Sequence, residues 1–268
     1  MSGQTNKQDF ANFLQLFDGD VDEAVHALRE YEVSLRNRPI TQEPSSPILI
    51  SIDNLVKTYR VGHQEVRALN GVSLNIHEGE FVAIMAPSGS GKSTLLQLMG
   101  GLEKPTSGTV TVSSLDINKL NDRKLSEFRG KTIGFVFQFF YLQPFLSLEH
   151  NLEVPGMFAR TKQREFQERA RELAQIVGIG DRLKHLPKEL SGGQIQRAAV
   201  ARALMNKPRV ILADEPTGNL DTKNRAAIID LFEQIRKEYG TTIVIATHDS
   251  TIADRADRVF KLQDGVLI

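Results

Sequence analysis

The sequence predicts an α/β fold built on a parallel sheet covered on both faces, and three observations carry that prediction. The runs Phe81 to Met85, Val210 to Ala213 and Ile243 to Ala246 are apolar without interruption, as fully buried strands are, and each leads into polar or glycine-rich sequence and then a helical pattern. Two earlier stretches alternate instead. Ile48, Ile50 and Ile52 alternate with Ser51 and Asp53, and Val72, Leu74 and Ile76 with Ser73, Asn75 and His77, which predicts an antiparallel β subdomain with one wet face. Leu148 to about Val177 reads as helical, with a charged amphipathic stretch from Lys162, and forms a helical subdomain.

Composition narrows the functions open to such a domain. The chain has 268 residues, room for one α/β domain and an appendage. Lysine and arginine total 33, as do aspartate and glutamate, so no net field draws the protein to nucleic acid or anionic lipid. Cysteine is absent, which excludes disulfides and thiolate metal sites. No basic-then-apolar signal pattern opens the sequence, and no apolar run approaches the roughly 20 residues needed to cross a bilayer.

Residues 1–36 differ in character from the rest. Phe10, Phe13, Leu14 and Phe17 fall at helical spacing, Gly19 can end that helix, and Asp20 to Glu23 resembles a capping box for a second. Val21, Ala24, Val25, Leu28 and Tyr31 form the second apolar stripe. This predicts a helical hairpin, either an extension packed on the main domain or a docking module. Residues 37–47 carry Pro39, Pro44 and Pro47 without periodicity and read as a linker to a domain over 48–268.

The first buried strand runs straight into Ala86, Pro87, Ser88, Gly89, Ser90, Gly91, Lys92, Ser93 and Thr94, and a helical pattern begins at Leu95. That reads as a phosphate-binding loop and predicts a core resembling that of P-loop NTPases. The turn's N–H groups and the positive end of the new helix converge on an anion, Lys92 adds a charge, and Ser93 offers a hydroxyl to Mg²⁺. The usual pattern has glycine where this chain has Ala86; Pro87 drives residue 86 toward extended angles, which alanine adopts without strain. Two further stretches complete the chemistry. Asp214 and Glu215 end a buried strand, where ligands of open α/β sheets sit; Asp214 can hold Mg²⁺ and Glu215 can take a proton from water. Ser191, Gly192, Gly193 and Gln194 form a second anion-ready helix start, with Ser191 as the N-cap.

Taken together, Ala86 to Thr94, Gln138, Leu190 to Gln194, Asp214-Glu215, Asn219-Leu220-Asp221 and His248, in that order and spacing, resemble a complete ABC-type ATPase domain over about residues 48–268, its helical subdomain at about 139–205. Ile133 to Gln138, Asn151 to Pro155 and Ala213 to Asp221 are similar to the branch serving lipoprotein release, macrolide export and cell division. The resemblance implies ATP and Mg²⁺ as cofactors, with Ser88 to Thr94 around the phosphates and Tyr59 stacked on adenine. It implies that Gln138 touches Mg²⁺ and the attacking water, and that His248 contacts the γ-phosphate. Asp221 would lie in a loop joining two ATP sites, and Ser191 and Gly193 would bind the γ-phosphate held by a second copy in a head-to-tail homodimer. It also implies a separate transmembrane permease subunit as partner, a cytoplasmic location on the inner face of the membrane, and no nucleic acid. The chain departs from the branch at Ile195, where glutamine is common, and in the aromatic run Phe139, Phe140, Tyr141, which is either core or a docking element for the membrane partner.

Rival readings leave more unexplained. A soluble ABC-type regulatory ATPase would carry two such domains or a long coiled-coil insertion, and a basic surface. A small-molecule kinase leaves Leu190 to Gln194 and His248 without a role, and a module that binds without hydrolysing leaves Glu215 without one.

Overall fold

The computed structural model describes Val21 and residues 46–268, apart from His63 and Arg160. The hairpin expected over 1–36 and most of the linker lie outside the described residues.

Strands β1 (Ile48–Val61) and β2 (Gln64–His77) pair antiparallel, and β4 (Ser107–Val112) and β5 (Leu115–Asp116) extend them into a four-stranded sheet of order β2-β1-β4-β5. Leu49, Ile50, Ile52 and Leu55 are buried on its inner face, with Leu69, Val72, Leu74 and Ile76 from β2. Both strands outrun the alternating stretches that announce them. The register shifts along β1, including between Ile52 and Leu55, and pairing continues through Lys57 to Arg60, whose side chains carry no apolar period.

The second sheet has six strands in the order β10-β9-β3-β8-β7-β6. These are β3 (Phe81–Met85), β6 (Ile133–Val136), β7 (Val210–Asp214), β8 (Thr242–Thr247), β9 (Arg258–Gln263) and β10 (Val266–Leu267). All neighbours run parallel except β10 on β9. Successive side chains of the buried strands feed two different cores. Ile211, Ala213, Ile243 and Ile245 face the layer containing α3 (Leu148–Phe158), α4 (Gln163–Ile176) and α5 (Gly192–Ala203). Val210, Leu212, Val244 and Ala246 pack with α1 (Lys92–Met99) and the inner face of the antiparallel sheet. This is why those runs read as apolar at every position.

Capping sets where the helices start. Asn121 caps α2 (Asp122–Thr132), Ser147 caps α3, and Asp221 caps α6 (Thr222–Tyr239), which ends at Gly240 in a left-handed conformation. On α4 the buried residues Phe166, Ala170, Leu173 and Ala174 form one stripe, as its charged amphipathic sequence predicts. The short α7 (Ser250–Ala253) follows β8. No described helix is long and apolar enough to cross a membrane.

Candidate nucleotide site

The carboxyl ends of β3, β7 and β8 meet at one place. Residues 86–91 leave β3, and α1 begins at Lys92 with Gly91 as its N-cap at φ 95°. A Cβ on Gly91 would run into the Ala68 carbonyl, so conformation and space both demand glycine here. Ala86 is buried, is not among the residues with positive φ, and donates its N–H to the Thr247 carbonyl at 3.3 Å. Ser88, Gly89 and Ser93 are exposed at the loop surface, Gly91 and Thr94 are half-buried, and Ser90 is buried.

Lys92 is only 7% exposed, although it carries a charge. Its Nζ donates to the Pro87 carbonyl at 3.3 Å and lies 3.3 Å from Glu215 Oε1. The same carboxylate oxygen lies 2.8 Å from His248 Nδ1, and its other oxygen accepts from Thr247 Oγ1 at 3.3 Å. Glu215 has φ 43°, a left-handed conformation that costs a non-glycine residue roughly 1–3 kcal/mol and is found where function fixes geometry. Its N–H holds the turn by donating to the Ala246 carbonyl at 2.8 Å.

Asp214, one residue earlier, ends β7. Burial pushes its carboxyl above the usual carboxylate range, the Ser93 hydroxyl pulls it down, the Glu215 charge raises it and Lys92 lowers it. Asp214 Oδ1 is buried and has no hydrogen-bond partner among the described residues. A buried carboxylate oxygen in that condition, beside a serine hydroxyl, is a donor set suited to Mg²⁺, directly or through water. Gln138 is exposed just after β6; its carbonyl accepts from Asn219 Nδ2 at 3.2 Å, and its side chain lies against Gly218 of the loop that follows Glu215.

Tyr59 is half-buried on β1. Its hydroxyl donates to Glu103 Oε2 at 2.7 Å and lies 3.5 Å from Thr94 Oγ1, which ties the ring to the first turn of α1. Lys57 Nζ sits 4.8 Å from the ring centroid and 2.8 Å from the same Glu103 oxygen.

Ser191, Gly193 and Asp221 form a separate group. Ser191 caps α5 through a reciprocal box with Gln194, its Oγ accepting from Gln194 N–H at 3.3 Å and its own N–H donating to Gln194 Oε1 at 2.9 Å. Asp221 is held by Asn224, whose N–H and Nδ2 donate to its two carboxylate oxygens at 2.9 and 2.7 Å. A Cβ on Gly193 would come within 2.7 Å of Asn224 Oδ1, so the starts of α5 and α6 touch there. Among the described residues no hydrogen bond or ion pair joins Ser191 or Gly193 to the Lys92–Glu215 cluster.

The aromatic run is not core throughout. Phe139 and Tyr141 are 66% and 63% exposed, and Phe140 is half-buried. Tyr141 has φ 49° and meets Phe137 edge-on at 5.2 Å, and Phe137 stacks on Phe135 at 5.4 Å. Arg202, in the last turn of α5, donates from its two terminal nitrogens to the carbonyls of Tyr141 at 2.5 Å and Phe140 at 2.8 Å.

The ABC transporter family profile matches residues 69–218. The chain belongs to the ABC transporter family. It is 48% identical over 220 residues to an uncharacterized ABC transporter ATP-binding protein of Bacillus subtilis strain 168, a match covering 82% of this chain and 96% of the relative. It is 42% identical over 225 residues to the lipoprotein-releasing system ATP-binding protein LolD of Shewanella denitrificans, covering 84% and 97%. Against the macrolide export ATP-binding/permease protein MacB of Shigella flexneri the identity is 44%, over 82% of this chain and 34% of that longer protein. A solved dimeric ATP-binding cassette in a post-hydrolysis state, bound to ADP and Pi, superposes with a TM-score of 0.77 at 43% identity, over 82% of this chain and 96% of that one. The cassette seen here therefore binds ATP with Mg²⁺ and hydrolyses it.

Three residues that hold this geometry are missed by reading the sequence. Asn224 is signalled only by the Asp-x-x-Asn spacing of a cap, Arg202 by nothing beyond a basic residue near a helix end, and Thr247 by a polar residue closing an apolar strand.

Proposed function

We propose that this chain is the ATP-hydrolysing subunit of a transport or mechanotransmission complex, dimerising head to tail around two ATP molecules and driving a separate transmembrane partner. The observation that carries the reading is the convergence of Lys92 and His248 on one oxygen of Glu215, beside the unpartnered oxygen of Asp214. Cation, base and imidazole there surround the place where the phosphate loop delivers a γ-phosphate.

In this reading Ser88 to Thr94 bind the phosphates by main-chain N–H groups, the Lys92 charge and the Ser93 and Thr94 hydroxyls. Ser93, Gln138 and Asp214 would hold Mg²⁺, which when bound neutralises charge on the phosphate oxygens. Glu215 orients the attacking water and takes its proton, Gln138 sits beside that water, and His248 holds the γ-phosphate. Tyr59 stacks on adenine while Glu103 fixes its hydroxyl. Ser191 and Gly193 reach the γ-phosphate of the second copy, and Asp221, tied to Gly193 through Asn224, links the two ATP sites.

The exposed rings of Phe139 and Tyr141 favour docking of the partner's cytoplasmic segment, and the names of the relatives support a membrane transporter of the lipoprotein-release and macrolide-export branch. The subunit is then cytoplasmic and peripheral on the inner face of the membrane. Residues 48–268 are its ATPase domain, with a helical subdomain over about 139–205, and residues 1–36 and 37–47 are an appendage and linker.

The test is Glu215→Gln, which keeps the shape and removes the base. Hydrolysis falls on the order of 10² to 10⁴-fold while ATP binding survives. The variant accumulates as an ATP-dependent dimer by size-exclusion chromatography with light scattering, and adding Ser191→Arg abolishes that dimer. A dimer indifferent to ATP, or untouched by Ser191→Arg, would mean that the second phosphate contact lies elsewhere.

A further inference from the structure

The hydroxyl of Thr247 is a buried polar group to which the chemistry above gives no task. Thr247 closes β8, the strand between β3 and β7, and is 0% exposed. Valine has the same shape and the same preference for strands, so packing alone gives no reason for an oxygen at this point. The hydrogen bonds give one. Asp249 N–H donates to Thr247 Oγ1 at 3.0 Å, which turns the hydroxyl's own proton toward Glu215 Oε2 at 3.3 Å. The carbonyl of Thr247 meanwhile accepts from the N–H of Ala86, the first residue of the phosphate loop. A single residue thus touches the loop and the carboxylate, and its chain neighbour is His248.

Glu215 needs such a contact more than an ordinary glutamate does. Its backbone is left-handed, and Lys92 and His248 both address Oε1 alone. The terminal torsion of a glutamate is broad, so a carboxylate held at one oxygen can still swing its other oxygen. We propose that Thr247 is a positioning residue for ATP hydrolysis, holding Glu215 Oε2 so that the carboxylate presents one fixed edge to the attacking water. This rests on the reading of Glu215 as the group that orients and deprotonates that water.

The experiment is steady-state ATP hydrolysis with saturating Mg²⁺ by Thr247→Val, Thr247→Ala and Thr247→Ser, with Glu215→Gln in parallel. Loss of one hydrogen bond to a charged group lowers kcat about 10- to 100-fold in the valine and alanine variants. KM stays within about 3-fold, because ground-state ATP contacts are untouched, and serine keeps kcat within about 3-fold of the parent. Melting temperature and binding of a fluorescent ATP analogue confirm that each variant is folded. Parent-like kcat in Thr247→Val, a kcat loss matched by an equal rise in KM, or a serine variant as slow as valine would overturn the proposal. Failure of both valine and alanine variants to fold would assign the hydroxyl to stability and overturn it too. If Glu215→Gln is slow while Thr247→Val is fast, the role of Thr247 falls and that of Glu215 stands; if Glu215→Gln is itself fast, both fall.

Discussion

The buried pair Lys92–Glu215 can be measured apart from catalysis, by comparing the stability of Lys92→Ala, Glu215→Gln and the double variant. The two charged atoms are 3.3 Å apart on side chains 8% and 10% exposed. At an effective dielectric constant of about 20, two unit charges at that separation attract by about 5 kcal/mol. Desolvation of both groups offsets much of this, and Glu215 keeps its contacts to His248 and Thr247, which leaves a net coupling of about 1.5–3 kcal/mol. Lys92→Ala leaves the Glu215 charge without its cation, next to Asp214, whose carboxyl burial already pushes up. At roughly 2–4 °C per kcal/mol for a chain of this size, the melting temperature without nucleotide falls by about 3–12 °C. Glu215→Gln in the Lys92→Ala background restores most of that loss, because a neutral amide needs no cation. Hydrolysis by Lys92→Ala is abolished in the same preparation if Lys92 binds the phosphates as proposed. Strictly additive melting temperatures in the cycle would refute the pair as a stabilising interaction and leave Lys92 with a phosphate role only.

Changing Phe139, Phe140 and Tyr141 together to serine leaves a folded ATPase whose sedimentation with partner-containing membranes is lost. The loop's path is held by main-chain contacts to Arg202 and two of the three rings are exposed, so a large drop in melting temperature would return the run to the core. Deleting residues 1–45 leaves a soluble protein that binds ATP with parent affinity, because the motifs all lie beyond the cut; circular dichroism and ATP titration check it, and an insoluble product would show that the segment completes the core.

Most of the parallel sheet was legible because its strands are buried on both faces and must be apolar at every position. The edge was not. β9 alternates from exposed Val259 to buried Leu262 with Lys261 between, a pattern too short and too polar to stand out, and it is placed by pairing with β3. At the site, the residues that would touch phosphate or metal were legible because the chemistry restricts them to lysine, serine, carboxylates and glycine at fixed spacing. Thr247 was not, since it meets Glu215 from another strand far away in sequence, and neither was Arg202, which holds the aromatic loop from the end of α5; Asn224 acts locally on Asp221, but a cap spacing alone does not tell that it also meets Gly193. The exposure of Phe139 and Tyr141 was equally out of reach: an aromatic run after a buried strand looks the same whether the chain turns inward or outward.

Arg202 holds the aromatic loop by the oxygens of its main chain, which every amino acid supplies alike. The path of the loop is therefore insulated from its composition: substitutions at 139 and 140 change what the surface presents without moving where it is presented. Position 141 is freer for glycine, asparagine and aspartate than for β-branched residues, because its φ is positive. Lysine at 202 could not do the same, since one ammonium lacks the planar fork that reaches two carbonyls at once. What the exposed rings of Phe139 and Tyr141 present can thus change while one arginine keeps the course of the chain beneath them.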